Sequence, residues 1–240
     1  MNLIIDTGNT RTKIAVFKLD SLIHLEKIKT KKILLEVKKI VKRYTINKAI
    51  VSSVAKFSTE ISLFLSKNDI KVINLNAKTK IPFKNLYKTP ETLGVDRIAL
   101  MASAQKNYPN KNVLVIDAGT CITYDLINTN KEYFGGAIAP GVKMKYEALH
   151  QFTANLPLLK PKANTQIGNS TKNAIHQGVI NGTILEIEGI INQYQNNNDN
   201  LTIVLTGGDT FFLAKLLKSS IFANPNFLLE GLNYILNYNS

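Results

Sequence analysis

The first seventeen residues, MNLIIDTGNTRTKIAVF (Met1–Phe17), place two apolar runs around a short polar segment that holds an aspartate and a glycine. Two strands, Leu3–Asp6 and Ile14–Phe17, are predicted on either side of that segment. Because Gly and Asn are ordinary turn formers, a plain hairpin turn is enough to explain one such segment. The stretch points to a function only if the pattern occurs again.

The same pattern returns in the middle of the chain, in NVLVIDAGTCITYDLIN (112–128). An apolar run again ends in an aspartate, a glycine follows two residues later, and a strand is predicted at Tyr124–Ile127. Asp6–Thr10 aligns with Asp117–Cys121, and each segment opens about half of the chain. Internal duplication on this scale predicts two similar domains. The predicted domains are 1–108 and 109–240.

Tight turns of this composition are suited to binding phosphate. Several backbone N–H groups converge in such a turn, and hydroxyl and amide side chains add further donors. Lys13 would add a positive charge, whereas a carboxylate such as Asp6 would repel phosphate unless a cation lay between them. Hard oxygen ligands favour Mg²⁺, held partly through water. Two such hairpins facing each other across a cleft would hold ATP between two domains.

The composition indicates a folded protein, with 45% hydrophobic and 20% charged residues. No apolar stretch approaches the length of about 18 residues that a membrane span needs. Asp6 interrupts the first apolar run before the core of a signal peptide could form. A single cysteine, Cys121, excludes an internal disulfide framework and a cysteine-rich metal site. These features predict a cytoplasmic protein without a membrane partner.

The net charge of +13 raises the question of a nucleic-acid or membrane-surface partner. The lysines are scattered, apart from one cluster between Lys27 and Arg43. Apolar residues recur there at helical spacing, so the cluster is interpreted as the solvated face of an amphipathic helix rather than a nucleic-acid site. These apolar residues are Ile33, Leu34, Val37, Ile40 and Val41.

Apolar periodicity elsewhere predicts a mixed α/β chain. The remaining predicted strands are Lys48–Val54, Lys71–Leu75 and Leu201–Leu205. The predicted helices are Lys32–Arg43, Glu60–Ser66, Pro90–Gln105, Asn173–Tyr194 and Phe211–Leu217. The segment FGGAIAPG (Phe134–Gly141) is rich in Gly and Pro and is assigned to no element.

Two further segments carry polar groups at predicted element ends. In ETLGVDRIALM (91–101), the Arg97 fork could bind a carboxylate and Asp96 could accept a proton from a hydroxyl. The same two residues could instead be an ion pair at a helix terminus. In LTGGDT (205–210), the glycines could let the backbone approach an adenosine, or could form a plain turn.

Five motifs, taken together and in order, resemble the type III pantothenate kinases, a family in the superfamily of acetate and sugar kinases, Hsp70 and actin. They are DTGNTRTK (6–13), TLGVDR (92–97), DAGTCITYD (117–125), GGAIAPG (135–141) and TGGD (206–209). The resemblance implies two tandem ribonuclease-H-like domains with a nucleotide cleft between them, assembled as a homodimer. It also implies transfer of the ATP γ-phosphate to the hydroxyl of pantothenate, the first step of coenzyme A biosynthesis.

The resemblance also implies residue roles. Asp96 would be the general base, Asp117 would bind a monovalent cation (K⁺ or NH₄⁺), and Thr120 would contact ATP. The pantothenate pocket would be lined by Tyr87, Gly94, Val95, Asp96, Arg97 and Thr171. ATP phosphates and Mg²⁺ would be held by Asp6, Thr7, Gly8, Asn9, Thr10, Arg11, Thr12 and Lys13. Cys121 stands where alanine is usual and is interpreted as a tolerated small side chain.

Two other functions remain open at this stage. One is a kinase of the same superfamily that acts on acetate or a sugar, against which the GVDR segment (94–97) argues. The other is a nucleotide-binding regulator that uses the basic surface on nucleic acid. The intact phosphate loops and candidate base argue against that second function.

Overall fold

The structure, a computed structural model, describes residues 1–8, 11–53, 59–163 and 167–240. The strands are β1 (Asn2–Thr7), β2 (Thr12–Lys18), β3 (Ser21–Ile28), β4 (Lys48–Ser53), β5 (Lys71–Asn74), β6 (Lys84–Asn85), β7 (Val113–Ala118), β8 (Cys121–Ile127), β9 (Glu132–Pro140), β10 (Thr202–Thr206) and β11 (Phe222–Ala223). The helices are α1 (Ile33–Arg43), α2 (Thr59–Lys67), α3 (Val95–Asn107), α4 (Val142–Gln151), α5 (Thr171–His176), α6 (Gly182–Asn197), α7 (Thr210–Ala214) and α8 (Phe227–Tyr238).

The chain folds into two compact units, each of which is built from more than one stretch of the sequence. The first unit comprises residues 1–109, 131–134 and 226–240, and the second comprises 110–130 and 135–225. The sequence-based division after residue 108 lies close to the first change of unit. That division assigned the C-terminal segment to the second domain, whereas the structure groups Asn226–Ser240 with the first unit.

Each unit contains a sheet with the same strand order. In the first unit the order is β3-β2-β1-β4-β5, where β1 pairs antiparallel with β2 and parallel with β4. The second sheet has the order β6-β9-β8-β7-β10-β11, of which the last five strands correspond to the first sheet, and β7 pairs antiparallel with β8 and parallel with β10. The predicted α/β class is confirmed, and the duplicated loops are part of a duplicated sheet topology.

Apolar side chains explain how helices cover the first sheet. Leu3 and Ile5 of β1 are fully buried, together with Val37 of α1 and Leu65 of α2. The lysines on the other side of α1 are exposed, so the predicted amphipathic helix is confirmed. In the second unit, Leu114 and Ile116 of β7 pack in the same way against α6 residues such as Ile187 and Ile191.

The start of one predicted helix was wrong. The helix predicted from Pro90 is a 3-10 turn at Pro90–Thr92, after which Leu93 is extended and α3 begins at Val95 with Gly94 as its N-cap. Proline can begin either kind of helix, so the pattern could not separate the two. The segment Phe134–Gly141, for which no element was predicted, lies mostly in strand β9.

Among the described helices, none is both long enough and apolar enough to span a bilayer.

The last helix, α8, packs closely on α3 within the first unit. A methyl group at Gly231 of α8 would overlap the backbone carbonyl of Ala99 on α3. Asn233 of α8 is also fully buried; it donates to the carbonyl of Leu19 over 2.8 Å and accepts from Asn2 over 2.8 Å. The position of α3, which carries Asp96, therefore depends on α8.

Gly231→Ala is expected to lower the free energy of unfolding by about 3 kcal/mol, because the added methyl group meets backbone that cannot move without separating the helices. Chemical denaturation measures the change. Gly189→Ala on α6 is the matched control, since nothing lies near its Cβ position. Its gain in helix propensity should raise stability by up to about 1 kcal/mol. Equal midpoints for the two variants would contradict the close α3–α8 packing.

Candidate functional site

Asp6 lies at the carboxyl end of β1, where three strands bring polar groups together. It is the penultimate residue of β1, opposite Lys13 on β2 and Ser52 on β4. The buried Ser52 side chain is hydrogen-bonded to the Asp6 carboxylate. Sequence reasoning missed Ser52, although a hydroxyl residue at the end of the strand parallel to β1 was a usable signal.

The charge of Asp6 is strongly disfavoured by its surroundings. Burial raises the pKa of the Asp6 carboxyl to about 6, with the negative charge of Asp96 adding to the rise, while Lys13 and the Ser52 hydrogen bond oppose it. Three residues predicted to act together, Asp6, Lys13 and Asp96, therefore influence one another within the first unit. Two neighbouring carboxylates of this kind form a natural site for a cation.

The loop after Asp6 offers donors to a ligand. The Thr7 hydroxyl is buried and has no hydrogen-bond partner among the described residues, an arrangement that a phosphate oxygen would satisfy. The amide of Gly8 donates to the carbonyl of Arg11 over 3.2 Å, which closes the turn. Thr12 is buried and its hydroxyl lies 3.4 Å from that of Thr30. Asn9 and Thr10, also predicted to contact ATP, lie outside the described residues.

The residues present fit a magnesium ion that is shared with a nucleotide. Within the described ranges, no group of three or more His, Cys, Asp or Glu side chains could enclose a metal. Magnesium in proteins is commonly bound by one or two carboxylates, with water and substrate phosphates completing the octahedron. The Asp6 carboxylate suits that role.

Several residues that are predicted to bind pantothenate lie just before α3 or in its first turn. Asp96 lies in the first turn of α3, and its Oδ1 accepts from the backbone N–H of Arg97 over 2.8 Å. A methyl group at Gly94 would overlap this Oδ1, so only glycine leaves room for the carboxylate there. Val95 begins the helix between these residues.

Arg97 is buried, with 5% of its surface exposed, although it carries a permanent charge. Its Cζ lies 5.5 Å from the centre of the Tyr87 ring, within the range of a cation–π interaction. The structure thus brings together the predicted Tyr87 and Arg97. Tyr133, whose ring stacks on Tyr87, was not among the predicted site residues.

The second loop repeats the arrangement of the first. Asp117 is the penultimate residue of β7, opposite Thr123 on β8 and Thr206 on β10. The buried Thr123 hydroxyl has no hydrogen-bond partner in the described part of the chain. A carboxylate and hydroxyl oxygens are suitable ligands for a monovalent cation, so the donors fit that prediction.

Glycines of two other motifs lie against the second loop. A methyl group at Gly141 would overlap the carbonyls of Gly119 and Thr120, and one at Gly207 would overlap Ala118. Gly207 also has a φ of 98°, a left-handed conformation that favours glycine. The amide of Asp209 donates to the carbonyl of Ala118 over 2.9 Å. The segments GGAIAPG and TGGD therefore both shape the loop that carries Asp117 and Thr120.

Thr171 lies in the second unit, where it is exposed as the first residue of α5. The preceding Ser170 caps the helix by accepting from the amide of Asn173 over 3.4 Å. Contact between Thr171 and pantothenate stays a prediction.

Residues 2–193 match the family model described as type III pantothenate kinase. The chain belongs to this family. The type III pantothenate kinase of Christiangramia forsetii is 48% identical over 241 residues, covering 100% of this chain and 99% of that protein. The resemblance of the five motifs is confirmed.

Solved structures support the fold prediction. A Campylobacter jejuni protein described as a Baf family transcriptional activator aligns with a TM-score of 0.59 at 23% identity, covering 99% of this chain and 98% of that one. A glucokinase from an Antarctic psychrotroph aligns with a TM-score of 0.53 at 11% identity, covering 99% and 98%. At these identities the similarity concerns the fold alone, which this chain shares with both solved structures.

Gly94→Ala is expected to lower kcat at least tenfold, because the methyl group occupies the position of the Asp96 carboxylate oxygen and forces that side chain to turn away. The displaced group is the end of a side chain, so the free energy of unfolding should change by less than about 1 kcal/mol. Steady-state ADP release and chemical denaturation measure the two effects. Gly189→Ala should leave kcat unchanged, and a normal kcat for Gly94→Ala would contradict the importance of this carboxylate position.

Asp6→Asn is expected to abolish most activity while stabilising the protein. Since the folded pKa of about 6 exceeds the ordinary value of 3.8, the folded state binds more protons between these pH values, and stability falls as pH rises through them. The variant lacks this penalty and should be more stable at pH 7 by about 1 to 3 kcal/mol, with the difference vanishing below pH 4.

Urea denaturation between pH 4 and 7 tests this expectation. Asp199→Asn removes an exposed carboxylate and should change stability by less than about 0.5 kcal/mol at every pH. A less stable Asp6→Asn protein at pH 7 would show that Asp6 supports the fold rather than a ligand.

Proposed function

We propose that this protein transfers the γ-phosphate of ATP to the hydroxyl of pantothenate, with Asp96 as the general base. The observation that carries the proposal is the Asp96 carboxylate itself. The Arg97 amide orients it, the absence of a side chain at Gly94 makes room for it, and it acts electrostatically on the Asp6 carboxylate. Membership of the type III pantothenate kinase family supports pantothenate as the acceptor.

Recognition of pantothenate depends on its carboxylate. The guanidinium of Arg97 lies over the Tyr87 ring, and its N–H donors project in the guanidinium plane, where they can form two parallel hydrogen bonds to a carboxylate. Burial strengthens this interaction, because little water competes for the charge. Gly94 and Val95 complete the part of the proposed pocket that lies in the first unit, and a contact between Thr171 and pantothenate remains a prediction.

ATP is bound through its phosphates. In the first unit the amides and hydroxyls of the loop, including Thr7, Gly8, Arg11 and Thr12, are proposed donors, and Lys13 adds charge. Asp6 holds the magnesium ion, which supplies charge neutralisation when bound. In the second unit Thr120 contacts ATP and Asp117 binds K⁺ or NH₄⁺. Assembly as a homodimer belongs to the same proposal.

The reaction balances with these groups alone. The pantothenate hydroxyl oxygen attacks the γ-phosphorus in line with the β–γ bridging oxygen, and ADP leaves as that bond breaks. Asp96 accepts the hydroxyl proton and later releases it to water. Lys13 lies near the transferring charge, which it stabilises.

Asp96→Asn tests the proposed base. The variant should lose at least about 100-fold in kcat for pantothenate-dependent ADP formation, since its amide cannot accept the proton. The dissociation constant for ATP should change less than threefold, which calorimetry measures, and Asp199→Asn serves as the control. Normal turnover by Asp96→Asn would remove this residue as the base.

Assays of the wild-type protein with different acceptors identify its substrate. ADP release should require pantothenate and should not be supported by acetate, glucose or N-acetylmannosamine. Turnover with one of these acceptors, and none with pantothenate, would overturn the proposed substrate.

A further inference from the structure

We propose that Tyr133 is a positioning residue of the acceptor pocket, acting on the substrate carboxylate through Tyr87 and Arg97. The inference rests on the proposed function, since it assigns a second layer of residues to the same pocket. Tyr133 is fully buried, and its ring stacks on Tyr87 with centroids 6.3 Å apart and an angle of 11° between the planes. Arg97 lies over the same Tyr87 ring.

The three side chains and Phe83 form a column within the first unit. Phe83 and Tyr133 form a T-shaped contact, with centroids 6.1 Å apart and planes at 86°. Offset-stacked and edge-to-face pairs in this distance range are the favoured aromatic geometries. Each ring in the column therefore limits the orientation of the next, and the column ends at the Arg97 guanidinium.

The backbone fixes Tyr133 and Tyr87 relative to each other. Strand β6 pairs parallel with the start of β9, placing Asn85 beside Tyr133. The amide of Leu86 donates to the carbonyl of Tyr133 over 2.8 Å, and the Tyr87 amide donates to the Asn85 side chain over 3.1 Å. A salt bridge of 3.0 Å between Lys84 and Glu132 joins the same strands. Tyr133 is thus placed by the strand that leads directly into Tyr87.

An aromatic ring has a consequence that an aliphatic side chain of similar volume lacks. A flat face fixes the plane of the Tyr87 ring, whereas leucine permits that ring to tilt. Contact with the Tyr87 ring in turn limits where the Arg97 guanidinium can lie, and two parallel hydrogen bonds to a carboxylate require that group to be correctly oriented. Removing the Tyr133 ring should weaken carboxylate binding without altering ATP binding.

Tyr133→Leu and Tyr133→Phe form the test pair in the full chain. Leucine at this position should raise KM for pantothenate about tenfold, while KM for ATP stays within twofold of the wild-type value. Phenylalanine keeps the ring and should restore KM for pantothenate to within threefold of wild type. A loss of kcat with both KM values unchanged would indicate a purely structural role and would overturn the proposal.

An acceptor without the carboxylate charge tests whether Tyr133 affects KM through Arg97 or by another means. With the primary amide of pantothenate, Tyr133→Leu and wild type should differ less than twofold in KM, because no carboxylate remains to be oriented. An equal rise in KM for both acceptors would overturn the proposed route.

Phe83→Leu provides a second variant that leaves the Tyr133 ring in place. Should Tyr133→Leu fail to fold, as circular dichroism would show, Phe83→Leu is expected to raise KM for pantothenate about threefold with KM for ATP unchanged. No change in KM for pantothenate would then refute the proposal. The wild-type assay tests the proposed function separately. If the wild-type protein does not phosphorylate pantothenate, the proposed function is wrong, whatever the variants show.

Discussion

The main constraint on the first unit is the Asp6 carboxylate, which the fold holds where its negative charge is disfavoured. Asp6 is half-buried at the end of a strand, near Asp96, and both the burial and that neighbouring charge raise the pKa of its carboxyl. The raised pKa means that the charge of this carboxyl is disfavoured in the folded protein, and in the proposed function a bound cation would offset that cost. Lys13 and Ser52 offset part of the penalty, and the sheet brings them to Asp6 through one antiparallel and one parallel pairing.

The duplicated topology explains why one chemical arrangement occurs twice. In each unit the aspartate is penultimate in a strand that has an antiparallel partner on one side and a parallel partner on the other. The parallel partner places Ser52 beside Asp6 and Thr206 beside Asp117. The two units differ outside this shared arrangement. The first unit has the residues proposed to bind the acceptor at the start of α3, and the second unit has the glycines that pack on its loop.

The sequence was most informative where local patterns decide the structure. The repeated hairpins, α1 and the five motifs were recognisable from short stretches, because alternation, helical periodicity and glycine positions are local properties. It was least informative where distant segments meet. Ser52 and Tyr133 look like ordinary strand residues until pairing places them beside Asp6 and Tyr87, and Pro90 fits a 3-10 turn as well as an α-helix. The assignment of α8 to the first unit likewise depends on packing across the whole chain.

The position of α8 has a consequence for how the protein is made. Synthesis runs from the N-terminus, yet α8, which packs on α3, is made after the whole of the second unit. Until then the apolar side of α3 lacks its partner, and the segment bearing Asp96 cannot take its final position. A nascent chain can therefore complete the second unit before the first, and the packing between α3 and α8 can form only once α8 has emerged.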